Sequence, residues 1–220
     1  LTKIYKIYLE NMLELIDFSK SYGGFTVIQP TTLSISEGIH WVKGVNGSGK
    51  STFFRSIAGI IPFSGKRAFK GLDPIHDAVK YRSILNIGEA EPLYPEFLSG
   101  YDLLQFIRNA KKGTKEQLLS FADRFQVQGY WKQPSGTYSS GMSKKIALIA
   151  AFLGRPELVI LDEPLITLDR ASVGEVYALI EEAYRTEGVS FLLSSHQDFQ
   201  LEQLPIARHY LVEEGQIRQV

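Results

Sequence analysis

Apolar and polar positions alternate roughly over residues 12–18, which predicts a half-buried strand. A second β-rich stretch covers 26–35 and stops at Ser36-Glu37-Gly38; residues 39–43 form a short strand that runs straight into glycines. Residues 51–60 read as a helix closed by Gly59 and Pro62. Short strands are expected at 64–70 and 84–88. The spacing then becomes helical over 100–109 and 114–125, with Thr114 placed as N-cap ahead of Gln117. Gly129, Pro134 and Gly136 mark a loop. A strong helical pattern over 140–153 ends at Gly154-Arg155-Pro156. The uninterrupted apolar run 158–161 has the character of a buried parallel strand. A helix over 170–186, a strand over 189–193, a short helix near 197–204 and a hairpin around Glu214-Gly215 complete the chain. Strands that alternate with helices in this way give an α/β fold with a parallel core sheet. The helical middle, about 89–155, reads as an inserted subdomain.

Composition narrows the class. At 220 residues, 44% apolar and 22% charged, the chain is long enough to bury a sizeable core. Lys plus Arg and Asp plus Glu balance at 24 each, so no global basic field points to nucleic acid. The absence of cysteine excludes disulfides and thiolate metal sites and fits a reducing compartment. No apolar run approaches the roughly 20 residues that span a bilayer. Residues 1–11 carry neither a signal-peptide core nor a small-residue cleavage site. Either Met12 is the natural start or residues 1–11 are a loose N-terminal extension, which an intact mass would check.

Two stretches carry chemistry. Gly44-Val45-Asn46-Gly47-Ser48-Gly49-Lys50-Ser51 fits G-x-x-x-x-G-K-[ST], between a strand and a helix. Gly44, Gly47 and Gly49 let the backbone wrap a phosphate with its N–H groups inward. The following helix adds the positive end of its dipole. Lys50 reaches β- and γ-phosphates and Ser51 ligates Mg²⁺ in such a loop, with Asn46, Ser48 and Thr52 beside them. Further along, Asp162-Glu163 ends the apolar strand, where ligands of open α/β sheets sit. Asp162 is expected to hold Mg²⁺, directly or through water, and Glu163 to polarise an attacking water.

With these motifs in place, the chain resembles the nucleotide-binding subunit of ATP-binding-cassette (ABC) transporters over nearly all of 12–220. Tyr138-Ser139-Ser140-Gly141-Met142 is similar to the family signature L-S-G-G-Q, and it precedes a helix containing Lys144 and Lys145. It departs from that pattern at Tyr138, Ser140 and Met142, and keeps Ser139 and Gly141. A helix N-cap alone would also explain Ser139 or Ser140. Ile166-Thr167-Leu168-Asp169 resembles the loop that pairs across the family's dimer, and Asp169 equally suits a helix N-cap.

The resemblance implies a P-loop NTPase core with a mainly parallel sheet, an antiparallel β subdomain and an inserted α-helical subdomain. It places the core at 12–88 and 156–220 and the helical part at about 89–155. It makes Tyr22 the aromatic that stacks on adenine and His196 the residue that contacts the γ-phosphate. It also makes Glu89 the metal-meeting residue where the family usually has Gln, with Glu91 the second choice. ATP and Mg²⁺ are the implied cofactors. The implied partners are a second nucleotide-binding subunit, identical or not, and an integral-membrane permease on a separate chain, with no nucleic acid. The implied place is peripheral, on the cytoplasmic face of the membrane. The exposed apolar stretch 92–98, with Leu93, Tyr94 and Phe97, would then receive a helix of the permease, or simply cap the helical part. Two rival readings stay open at this point: a soluble ABC ATPase without a transport role, and a regulatory nucleotide-binding module with weak hydrolysis.

Overall fold

The computed structural model describes residues 12–195 and 204–220, and the chain divides into two compact units. The first runs up to Arg82 and resumes over Leu192–Val220; the second is Ser83–Phe191.

In the first unit, β1 (Leu13–Tyr22) lies between β2 (Phe25–Ile35) and β4 (Ser64–Phe69) in an antiparallel sheet. Leu13 is opposite Ile35 on one side and Phe69 on the other. The simple alternation of β1 breaks at Asp17, which has a left-handed φ of 50° and donates its N–H to Thr32 Oγ1. That bulge shifts the register between Leu15 and Phe18 and keeps Leu13, Leu15 and Phe18 on the buried face. The same unit contains β3 (Ile39–Lys43) paired in parallel with β8 (Ile206–Glu213), which pairs antiparallel with β9 (Gln216–Gln219). Glu214 and Gly215 both have positive φ, as a two-residue hairpin turn requires. Gly215 also accepts a bond from Gln29 N, and a Cβ there would stand 2.8 Å from the Val27 carbonyl oxygen. Helix α1 (Lys50–Ile57) buries Phe53, Phe54 and Ile57. A short helix, α2 (Ala78–Ile84), was not expected from the sequence; it begins in the first unit and ends in the second.

In the second unit, β5 (Leu85–Gly88) and β6 (Leu158–Leu161) pair in parallel from Leu85–Leu158 to Gly88–Leu161. Helices α3 (Gly100–Ala110), α4 (Lys115–Arg124) and α5 (Ser140–Phe152) belong to it. Ser99 and Thr114 cap α3 and α4 through Asp102 N and Gln117 N. The Asn86 amide donates to the carbonyls of Ala151 and Leu153, which ties the end of α5 to β5. Helix α6 (Arg170–Glu187) is capped by Asp169 and closed by Gly188 in the left-handed region. Arg124 of α4 bridges Glu175 and Glu182 of α6, each at 2.8 Å. Strand β7 (Ser190–Ser194) starts in this unit and ends in the other. The helix expected near 197–204 falls on residues outside those described.

Candidate functional site

The first unit carries the phosphate loop. Strand β3 is buried from Ile39 to Val42 and delivers the chain to Gly44; α1 starts at Lys50. Gly47 and Gly49 have φ of 78° and 107°. A Cβ at Gly49 would come within 2.9 Å of Ile28 Cδ1, so glycine is needed there twice over, for conformation and for space. A Cβ at Gly44 would meet Ser48 Oγ and the Val212 carbonyl, both at 2.5 Å. Gly47, by contrast, faces open space. Ser48 N–H donates to the Val45 carbonyl and closes the turn. Lys50 is 5% exposed, and its ammonium donates to the carbonyls of Gly44 (2.6 Å) and Val45 (3.2 Å), which holds it on the inside of the loop. Ser48 Oγ is buried with no hydrogen-bond partner among the described residues. Buried polar atoms are normally satisfied, so this hydroxyl, the lysine and the N-terminal amides of α1 fit a polyphosphate. Ser51 is exposed in the first turn and Thr52 half-buried beside it; Asn46 is exposed on the loop.

Tyr22 ends β1 and is 49% exposed, with the Lys20 ammonium 4.4 Å from its ring centre. Across the Gly23-Gly24 turn it is paired with Phe25, which is 73% exposed and was not singled out from the sequence.

The second unit carries the carboxylates. Every residue of β6 is buried, and the ladder continues one step beyond it through Asp162 N–H to the Gly88 carbonyl at 2.8 Å. Asp162 and Glu163 are 4% and 9% exposed. Glu163 has a φ of 46°, a left-handed conformation that a non-glycine residue adopts only when its surroundings impose it. Glu89 follows β5 directly and is half-buried, whereas Glu91 is exposed. Burial, with the Glu89 charge second, pushes the Tyr94 phenol up. Tyr94 is half-buried, while Leu93 and Phe97 stand 89% and 79% exposed.

Ser139 is the N-cap of α5 and accepts from Met142 N–H at 3.2 Å. Gly141 has a packing reason to be glycine, since a Cβ there would lie 2.7 Å from the Thr167 carbonyl oxygen. The Tyr138 hydroxyl accepts from Gly100 N–H at 2.9 Å and faces the carbonyls of Gln133 and Trp131 at 2.9 and 3.0 Å. Asp169 takes bonds from Ser172 N–H (2.8 Å), Ser172 Oγ (2.9 Å) and Lys145 Nζ (2.7 Å). Lys144 was visible in the sequence only as part of a helix. It is 2% exposed and donates to three backbone carbonyls, those of Glu89, Ala90 and Asp162. Burial pushes its ammonium down to about 8, opposed by Asp162, Glu163, Glu89 and Glu91. His196 lies outside the described residues.

A family model described as ABC transporter matches residues 28–166. The lantibiotic transport ATP-binding protein SrtF of Streptococcus pyogenes is 29% identical over 187 residues, which cover 84% of this chain and 80% of that protein. Among solved structures, the chain is similar to an ATP-binding subunit of an ABC transporter, with a TM-score of 0.84 at 22% identity, covering 95% of this chain and 89% of that one. It is also similar to an ATP-binding cassette solved as a post-hydrolysis dimer bound to ADP and Pi. There the TM-score is 0.82 at 17% identity, covering 95% of this chain and 98% of the other. These likenesses show the expected α/β P-loop NTPase fold. Among the described residues, no helix is long and apolar enough to cross a membrane.

Proposed function

The chain belongs to the ABC transporter family as an ATP-binding and ATP-hydrolysing subunit that powers transport, and from that premise we propose how its residues divide the work. The observation that carries the proposal is the phosphate loop, with Lys50 held on its inner side and Ser48 Oγ buried without a partner. Gly44, Asn46, Gly47, Ser48, Gly49 and Thr52 line the polyphosphate. Lys50 and the amides at the start of α1 balance charge developing on the γ-phosphate. Tyr22 stacks on the adenine. Ser51, Asp162 and Glu89 supply oxygen donors of the kind Mg²⁺ takes alongside substrate phosphates. When bound, that ion neutralises phosphate charge and orients the phosphate oxygens. Glu163 polarises the attacking water, and His196 supports it. The left-handed backbone at Glu163 supports this role, since strained residues cluster where a side chain must be aimed.

Two such subunits sandwich the nucleotides, with Ser139 and Gly141 of one facing the nucleotide of the other. The dimeric cassette with ADP and Pi supports this arrangement. A permease on a separate chain carries the cargo, which places this subunit at the cytoplasmic face of the membrane. Exposed Leu93 and Phe97 offer that permease an apolar foothold.

Glu163→Gln tests the catalytic assignment. It removes the base and keeps the shape, so phosphate release is expected to fall by about 100-fold or more, while ATP still drives dimer formation in size-exclusion runs. A Glu163→Gln protein that hydrolyses ATP at the wild-type rate would remove Glu163 from the mechanism.

A further inference from the structure

Lys144 is a lysine in the place of a core residue. On α5 it shares the inward stripe with Ala147, Leu148 and Ala151, all buried. An ammonium has three protons and accepts nothing. Here each proton has a carbonyl: Glu89 O at 2.9 Å, Ala90 O at 3.2 Å and Asp162 O at 3.0 Å. All three acceptors are main-chain atoms just beyond the ends of β5 and β6, where the ladder between those strands stops. Four carboxylates, those of Asp162, Glu163, Glu89 and Glu91, favour its charge. It is therefore a buried tripod that joins two strand ends to the helix opened by Ser139.

We propose that Lys144 is a positioning residue for ATP hydrolysis: its three bonds fix the backbone that carries Glu89, Asp162 and Glu163 to the helix that presents Ser139 and Gly141. This rests on the roles given above to those side chains. Its three ammonium bonds go to main-chain carbonyls, so it acts through the residues it holds. The bonds bear on the orientation of the carboxylates and leave the phosphate loop its own means of gripping ATP. Loss of Lys144 should therefore lower turnover and raise the Mg²⁺ demand with little change in ATP affinity.

The test uses the full chain and three substitutions, Lys144→Met, Lys144→Gln and Lys144→Arg. Met keeps the length of the side chain and loses every donor. Gln restores two N–H donors without charge. Arg restores charge and donors in a planar fork that does not match a tripod. The measurements are kcat and KM for ATP, the Mg²⁺ concentration for half-maximal rate, ATP binding, and thermal melting. Expected for Lys144→Met is a kcat at least tenfold lower, an ATP KM and binding constant within threefold of wild type, and a higher half-saturating Mg²⁺. Lys144→Gln should recover part of kcat, and Lys144→Arg less than Lys144→Gln. A folded Lys144→Met with wild-type kcat and Mg²⁺ dependence overturns the inference. So does a loss of kcat, ATP binding and melting temperature together in both Met and Gln variants, which would make the lysine a packing element only. The hydrolysis reading fails separately, through wild-type protein that releases no more phosphate than Glu163→Gln.

Discussion

Replacing Tyr138 by Phe deletes one hydroxyl that sits between α3 and the segment leading into α5. Gly100 N–H belongs to the first turn of α3, where no intrahelical acceptor exists. The Ser99 cap serves Asp102 N, so the Tyr138 oxygen is what receives the Gly100 proton, at 2.9 Å. On the other side the hydroxyl has one proton to give to Gln133 or Trp131, and the Trp131 carbonyl already accepts from Tyr101 N–H at 2.7 Å. The loss is therefore dominated by one orphaned, buried donor, which costs about 1–3 kcal/mol. Tyr138 is half-buried, so water can reach part of the site and the lower half of that range applies, about 1–2 kcal/mol. With a urea slope of about 3 kcal/mol/M for a chain of this size, the midpoint should fall by roughly 0.3–0.7 M. Trp131 is buried in the same unit with Tyr101 4.9 Å from its ring, and in a Trp41→Phe background its fluorescence reports this unit alone. Tyr138→Leu restores the commoner signature residue but also loses the ring contact with Tyr130 at 5.2 Å, so it should cost at least as much as Phe. A midpoint that moves by less than about 0.1 M, or a Leu variant as stable as wild type, would refute this account.

Two further outcomes follow from other groups. His40 is fully buried, its Nε2–H donates to the Ser36 carbonyl at 2.8 Å, and its Nδ1 has no partner among the described residues. Burial, helped by Arg208 and opposed by the Ser36 bond, keeps its proton affinity below normal. The unfolded chain therefore takes up this proton first. The stabilisation is full above about pH 6.5 and is lost as pH falls below it; His40→Phe should flatten that acid slope in urea titrations, and an unchanged slope would exclude His40 as its source. Asp169→Ala should destabilise α6 by about 1 kcal/mol through the lost cap, and Asp169→Asn should recover most of that, as read by helical circular dichroism. The Lys145 contact, with the Ser172 bonds, holds the Asp169 carboxyl below the usual range. Its contribution is present above about pH 4 and is lost in stronger acid; equal damage from Ala and Asn would show that the charge pair, not the cap, is what matters.

What could be read from the sequence was whatever depended on local residue type. The glycines of the phosphate loop, the apolar run of β6, the Thr114 cap and the Glu214-Gly215 turn each announce their own conformation. Helix α2 does not, because seven residues are too few for a period and only Tyr81 of them is buried. The bulge at Asp17 broke the alternation that would have extended β1 to Tyr22. The role of Lys144 was invisible for a different reason. Its three acceptors are backbone carbonyls 18 to 55 residues away, and a carbonyl is the same atom whatever residue carries it. Sequence patterns report side chains, so an interaction with main chain across the fold leaves only the lysine to be seen.

The same distinction bears on the variant signature. Ser139 is needed within its own chain, because the N-terminus of α5 uses it as a cap. Gly141 is needed there too, because the Thr167 carbonyl, at a residue with a left-handed φ of 64°, occupies the space a side chain would fill. Both retained positions thus have an intrachain cause that operates with or without a nucleotide on a second subunit. Loss of activity on replacing either one cannot by itself assign it to the opposing site. Gly141→Ala would displace Thr167, and through that loop the N-cap of α6 at Asp169, before it touched any phosphate. Ser140 is the informative position, since it is exposed and makes no side-chain bond among the described residues. A functional effect confined to Ser140 would therefore speak for the partner's nucleotide in a way that Ser139 and Gly141 do not.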